Sequence, residues 1–262
     1  PKQNWIAWQN CLEKKILKNQ TKDGGFTWFD GGKSDQIIKL VERNIQLTKE
    51  DWDDCELSKD FLVHPLINGN SIKEAFYCYF KICSDRFNGL KANEQELNDI
   101  FSKALELNDI SFTVLDRDIS IRIPTQDDAS KSLISFLIGV CLGRFKLPNK
   151  DACNIFSDGI APIFKFVGIE SGLTNQIVSL IVSIYGKESL NENLDFLSSG
   201  LGKKPSESPI ECINRYLNDT FYSDHVKLYQ KRPIYWMLSS GKKGAFKSLI
   251  YICKYTANTL AS

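Results

Sequence analysis

The stretch Ser71-Ile-Lys-Glu-Ala-Phe-Tyr-Cys-Tyr-Phe-Lys-Ile-Cys-Ser-Asp-Arg-Phe-Asn-Gly-Leu90 decides the fold class. Ile72, Ala75, Phe76, Tyr79, Phe80, Cys83, Phe87 and Leu90 recur every three or four residues, which is the period of one helix face. Ser71 and Glu74 frame its start as a capping box, each side chain placed to satisfy a backbone N–H that the first turn leaves unpaired. Ser189-Leu-Asn-Glu192 and Ser208-Pro-Ile-Glu211 repeat that signature, the latter with Pro209 at the first helical position, where its missing N–H costs nothing. Working outward, a second helix is expected through Leu97, Ile100, Phe101 and Ala104. Another is expected from Thr125, with Leu133, Phe136, Leu137, Val140 and Cys141 inward and Ile134 and Ile138 widening the stripe until most sides are buried. Ile177, Leu180, Ile181, Ile184 and Tyr185 mark a fourth helix. The fifth and sixth follow Ser189 and Ser208, and Phe221 to Gln230 is a seventh.

Two stretches break this period. Residues 112–123 alternate and turn at Asp116-Arg-Asp118, as a short hairpin would, and Pro233–Ser240 and Ala245–Ile252 are β-rich runs joined by Gly241-Lys-Lys-Gly244. The expectation is a mainly α (α+β) chain, a multi-helix domain with small β-hairpins. Its organisation reads as an N-terminal segment with a glycine-rich loop over 1–40, a helical domain over 41–200 with a hairpin near 112–123, and a basic helix and β-hairpin region over 201–262 packed on it.

The 262 residues are 42% apolar and 25% charged, the usage of a folded chain and too hydrophobic for a disordered one. A net charge of +1 excludes a uniformly basic coat, so any polyanion site must be local. It is local: ten Lys and Arg against four Asp and Glu stand between Leu201 and Tyr255, which leaves the remainder with a small acidic excess. The longest nearly apolar run, Ile134 to Gly143, is about half the roughly 20 residues a membrane helix needs. Eight cysteines contain no C-x-x-C pair and only two histidines are present, so zinc-ligand spacing is absent and the thiols read as reduced, in a cytoplasmic protein.

No complete active site can be assembled from the residues. Gly31-Gly-Lys-Ser34 ends like a phosphate-binding loop, but Thr27 stands where that loop requires glycine. His64 precedes Pro65 and His225 has no nucleophile signature beside it, so both read as structural or surface histidines. Asp51, Asp53, Asp54 and Glu56 read as an acidic cluster at a helix N-terminus beside Thr48 and Glu50 rather than as magnesium ligands. No catalytic residue and no metal ligand is assigned.

Four blocks carry a resemblance. Asp51-Trp-Asp-Asp-Cys-Glu-Leu-Ser-Lys-Asp-Phe61, followed by His64-Pro-Leu66, resembles a segment of the PglX-type adenine-specific DNA methyltransferases of BREX phage-exclusion systems and of related type II restriction-modification enzymes. Cys55, Leu57 and Lys59 depart from the family form there. Arg86–Phe101 is similar to the family's next helix pair, and Ser132–Phe145 to its glycine-punctuated buried helix. Tyr222–Trp236 and then Ser240–Tyr251 form the closest match. The resemblance runs in family order from about Val41 onward. It implies a position after the methyltransferase core and the main target-recognition region, hence a C-terminal part of a longer protein. The family's Asn-Pro-Pro-Tyr motif and its glycine-rich S-adenosylmethionine loop are not in these residues, and no Pro-Pro dipeptide occurs. The resemblance therefore implies no cofactor in this chain, S-adenosylmethionine in its parent, and no methyl transfer by the chain alone.

Together, charge and resemblance point to a non-catalytic domain that engages the phosphate backbone of double-stranded DNA beside its own methyltransferase core. Lys203, Lys204, Lys231, Arg232, Lys242, Lys243 and Lys247 are the expected DNA contacts. Tyr235 and Trp236 point to opposite sides of a strand, so one at most faces a groove, and Trp236 reads more readily as core. The alternative is a scaffold domain that docks the methyltransferase core or other defence-system subunits without touching DNA, its apolar stripes continuing onto the surface. No membrane partner is expected.

Overall fold

A computed structural model describes residues 31–105, 107, 112–148, 155–241 and 246–256. Its contacts divide the chain into two units, one of Pro1–Asp51 and Cys83–Arg122, the other of Trp52–Ile82 and Ile123–Ser262. This grouping cuts across the boundaries expected at residues 40 and 200. Residues after 200 share a unit with the helices before them because the helix after Ser208 packs on the helix after Ser189.

In the first unit, α1 (Gly31–Asp53) and the later part of α2 (Ile72–Ala104) supply Leu47 and Leu90 to a small core completed by Val114, Ile119 and Ile121. The expected glycine-rich loop therefore gives way to helix from Gly31, and the two helices expected over 72–104 are one. Nothing between Leu90 and Leu97 breaks the turn, and Gly89 is accommodated in mid-helix. Asn44 donates to Glu94 (2.9 Å) and accepts from Asn93 (2.8 Å), and Arg86 approaches Glu50 at 3.4 Å. The hairpin expected near 112–123 is not formed. Asp116–Asp118 makes a single 3-10 turn, as the sequence placed it, but the arm before it bonds to α2 instead of pairing with the arm after it. Gln95 and Asn98 donate to the Phe112 carbonyl (3.3 and 3.1 Å), and the Val114 N–H donates to Gln95 Oε1 (2.9 Å). Side chains of one helix thus satisfy the backbone groups that a partner strand would have taken.

In the second unit, α3 (Gln126–Cys141) is the central helix, its residues from Leu133 to Cys141 all buried. Thr125 and Asp128 close its capping box (3.1 and 3.2 Å). Around it pack α4 (Leu173–Tyr185) and α5 (Leu190–Gly200), with α6 (Pro209–Asp219) on α5 and α7 (Phe221–Leu228) on α6. At Gly200 α5 comes so close that an added Cβ would lie 2.3 Å from Ser130 Oγ and 2.7 Å from the Gln126 carbonyl. Ser208 and Glu211 form the expected box (3.3 and 2.8 Å). The box expected at Ser189 does not form. Its hydroxyl donates to the Tyr185 carbonyl (2.9 Å) and accepts from Asn193 (3.1 Å), and Asn193 in turn accepts the Ile72 N–H at 2.7 Å, so these side chains serve the start of α2.

The expected hairpin at 233–252 is present as β2 (Tyr235–Ser239) and β3 (Phe246–Tyr251), antiparallel with Tyr235 opposite Tyr251. Its tip, residues 242–245, lies outside the described residues. A third strand, β1 (Ile160–Phe164), pairs antiparallel with β3, giving the order β1-β3-β2. Ala161, Ile163, Tyr235 and Leu249 form the face turned to the helices. Trp236 is not core: it is 45% exposed on the opposite face, while Tyr235 is fully buried. The acidic cluster at 51–54 lies at the C-terminal end of α1, not at an N-terminus, and Thr48 bonds back to the Asn44 carbonyl (2.8 Å) as a mid-helix threonine. No helix among the described residues is long and apolar enough to cross a membrane.

Candidate nucleic-acid interface

Among the described residues, the expected cations outside β3 stand on two turns, one after α5 and one between α7 and β2. The first group is built on the end of α5. Gly202 adopts φ 71°, its N–H bonds the Ser199 carbonyl (3.2 Å), and Lys203 N–H bonds the Ser198 carbonyl (2.9 Å), a Schellman stop. This turn delivers Lys203 and Lys204 to the surface. Arg215 of α6 then pins the loop, making two bonds to Glu207 (2.7 and 3.0 Å) and one to the Gly202 carbonyl (3.0 Å). The Arg215 contact holds the Glu207 carboxyl down at about 2. Lys203 lies 3.7 Å from Asp195 across exposed surface, a pair too solvated to remove it from competition for phosphate.

Arg215 also lines a cleft of about 680 Å³ between α6, the residues after β1 and the end of β2. Lys165 stands on its rim, exposed. It escaped the sequence reading because it lies 36 residues before Leu201. Only the pairing of Phe164 with Phe246 brings it beside Lys247. Lys247 itself is engaged: its Nζ donates to the Asn218 carbonyl and lies 3.9 Å from Asp219, so it closes the C-terminus of α6. Gly241 also lines the cleft; the lysines that follow it, Lys242 and Lys243, are outside the described residues.

The second group, Lys231 and Arg232, is exposed on the turn between α7 and β2. Gln230 and Lys231 adopt φ 50° and 67°, a left-handed pair unusual for residues with a Cβ. His225 holds the turn, Nε2 accepting from both Ile234 N–H (3.1 Å) and Tyr235 N–H (3.2 Å). That geometry requires a neutral ring, and burial, aided by the charge on Arg144, lowers its pKa to about 4. His225 is thus structural, as its sequence setting implied. His64 is too: its Nδ1 accepts the Leu66 N–H (3.2 Å), its Nε2 meets Ser132 Oγ (2.9 Å), and burial lowers its pKa to about 3.

Below this surface lies a buried polar cluster. The Glu56 carboxylate accepts from Ser135 Oγ (3.0 Å) and Tyr229 OH (3.0 Å) and has Arg144 Nη1 at 3.9 Å. Arg144 Nη2 donates to the Glu56 carbonyl (3.1 Å), and the guanidinium lies over the rings of Phe145 (4.4 Å) and Tyr229 (5.5 Å). Burial raises the Glu56 pKa, and Arg144, Ser135 and Tyr229 oppose that rise. Three of the blocks that resemble the methyltransferase family, 51–61, 132–145 and 222–236, meet at these residues. The cluster ties these three segments of the chain together.

No family model matches the chain. It is 34% identical over 258 residues to the adenine-specific methyltransferase PglX of Lacticaseibacillus casei (strain Zhang), and 30% identical over 274 residues to the adenine-specific methyltransferase BrxX of Escherichia coli O9:H4 (strain HS). Each match takes in 87% of this chain but only 21% and 23% of the relatives, so the chain spans less than a quarter of their length. The chain is homologous to one region of the PglX and BrxX adenine-specific methyltransferases.

Proposed function

We propose that this chain is a non-catalytic region of an adenine-specific DNA methyltransferase of a phage-defence or restriction-modification system, and that it holds duplex DNA by its phosphates beside the methyltransferase core. The observation that carries this reading is a set of exposed cations on turns: Lys203 and Lys204 on the loop that Arg215 pins, Lys231 and Arg232 on the turn before β2, and Lys165 at the Arg215 cleft. Lysines on solvated turns contact phosphate as point charges and displace counterions, which gives affinity without sequence preference. Arg215 and Lys247, bound to Glu207 and Asn218, shape the rim instead of contacting DNA. Methyl transfer and S-adenosylmethionine belong, in this reading, to the part of the enzyme that carries Asn-Pro-Pro-Tyr, and no step of that chemistry is routed through the residues described.

The test is fluorescence anisotropy of a labelled duplex with the wild-type chain and with the Lys203→Glu, Lys204→Glu double variant. Each lost phosphate contact should weaken binding across all sequences and reduce the salt slope by about 1. Equal affinity and slope for the two proteins would remove the loop after α5 from the interface.

A further inference from the structure

The loop after β1 carries an apolar tip into water. Phe166 is 74% exposed, and Val167 and Ile169 are 39% and 40% exposed. The tip is held rather than loose. On one foot Asn218 Nδ2 donates to the Phe164 carbonyl (3.1 Å) and Asn214 Nδ2 to the Lys165 carbonyl (3.0 Å). On the other, the Gly172 N–H donates to the Ile169 carbonyl (2.9 Å) and Gln176 Nε2 to the Glu170 carbonyl (2.8 Å). Gly168, at φ 93°, turns the chain between Val167 and Ile169, a conformation that glycine adopts without strain. A loop pinned at both feet has little ordering left to do when its tip is bound.

Lys165 stands at the base of the tip, exposed and without an ion pair among the described residues. Together with Phe166 and Val167 it lines the Arg215 cleft, whose two acids are engaged: Glu211 accepts the Ser208 N–H (2.8 Å) and Asp219 lies 3.9 Å from Lys247. Glu170, the acid nearest the tip in sequence, sits on the opposite foot. An apolar side chain projecting beside cations is the arrangement by which minor-groove proteins open a base step. Three side chains on one loop fall far short of the roughly 800 Å² that each partner of a stable protein interface buries, which weighs against a protein occupant.

We propose that Phe166 is a wedge that inserts between base pairs of duplex DNA, with Lys165 as the cation at its base. This inference rests on the DNA reading above and adds to it a property that phosphate contacts alone do not give: a preference for duplex whose stacking is already weakened. Opening a base step costs unstacking energy, and a mismatched pair has lost part of that stacking before the protein arrives.

The experiment measures anisotropy of two labelled duplexes, one fully paired and one identical but for a single mismatch, with the wild-type chain, Phe166→Ala and Phe166→Trp. A second pair of duplexes carries the fluorescent base analogue 2-aminopurine beside the mismatch position, where unstacking raises its emission. The proposal predicts that the wild type binds the mismatched duplex about tenfold tighter than the paired one and raises the emission on binding. Phe166→Ala should lose both effects while keeping the salt slope, and Phe166→Trp should keep all three. Duplex binding with equal affinities for the two duplexes, or with unchanged emission, would overturn the wedge and leave the phosphate reading standing. Absence of any binding by the wild type at low salt would overturn both. Because Phe166 is mostly in water, circular dichroism of Phe166→Ala should match the wild type, so a lost preference is not lost fold.

Discussion

Replacing Arg144 with Met should uncover the cost of the carboxylate it accompanies. Glu56 is buried, and its charge is held by Arg144 at 3.9 Å together with hydroxyls from Ser135 and Tyr229. Removing one partner of a buried pair costs about 3–5 kcal/mol. The two hydroxyls remain and the ion contact is long, so the low end, about 3 kcal/mol, applies. For a unit of this size that is a fall in Tm of about 6–12 °C. Glu56→Gln should cost less, and the double variant should be more stable than the two single losses summed, with coupling of about 2 kcal/mol. The loss also depends on pH. Without Arg144 nothing cationic opposes desolvation, so the Glu56 pKa rises further above its unfolded value. Between the unfolded and the folded pKa the folded state then binds a proton that the unfolded state does not, and stability falls as pH rises through this window. The Arg144→Met deficit should therefore be largest at pH 7 and shrink toward pH 5. Urea unfolding of the four proteins of the cycle at both pH values, followed by circular dichroism, measures this. Strictly additive losses, or a deficit that does not change with pH, would refute the account of the cluster.

Two further predictions concern stability. His64 and His225 are neutral in the fold with pKa values lowered to about 3 and about 4, so each contributes stability that is complete above pH 6.5 and is lost as pH falls. Between pH 6.5 and 5 the loss is about 2 kcal/mol per histidine, and His225→Gln should flatten the urea midpoint against pH; an unchanged slope would contradict the burial argument. Gly89→Ala should stabilise by about 0.5–1 kcal/mol, because the nearest atom to an added Cβ is Leu47 Cδ1 at 3.6 Å and alanine favours mid-helix. Gly200→Ala should instead destabilise by about 1–3 kcal/mol through the contact with Ser130 and the Gln126 carbonyl. Thermal unfolding of the two variants checks both signs, and a stabilised Gly200→Ala would show that α3 and α5 are not in close contact.

The helices were legible where a periodic stripe met a local cap, as at Thr125 and Ser208, because both signals lie within a few residues of each other. At Ser189 the helix starts where the signature puts it, but the box bonds do not form, because Ser189 and Asn193 are drawn to the start of α2. Residues 112–123 alternate as a strand pair does, but Gln95 and Asn98 supply the missing partners, which alternation alone cannot reveal. Strand β1 gave no signal, since Ile160-Ala-Pro-Ile-Phe164 is apolar on both parities and its proline argues against a strand unless the strand is known to be an edge. The proposed interface was half legible. A count of charges finds Lys203, Lys204, Lys231 and Arg232, but only the sheet register brings in Lys165, and only α6 shows Lys247 to be engaged.

The most direct test of the central claim is the salt dependence of binding between this chain and a labelled random-sequence duplex, measured by anisotropy from low to physiological salt. Contacts from Lys203, Lys204, Lys231 and Arg232 predict a log–log slope of about −3 to −4, at roughly −0.9 per phosphate. Absence of binding at low salt, from a sample whose circular dichroism shows the helical fold, would contradict it.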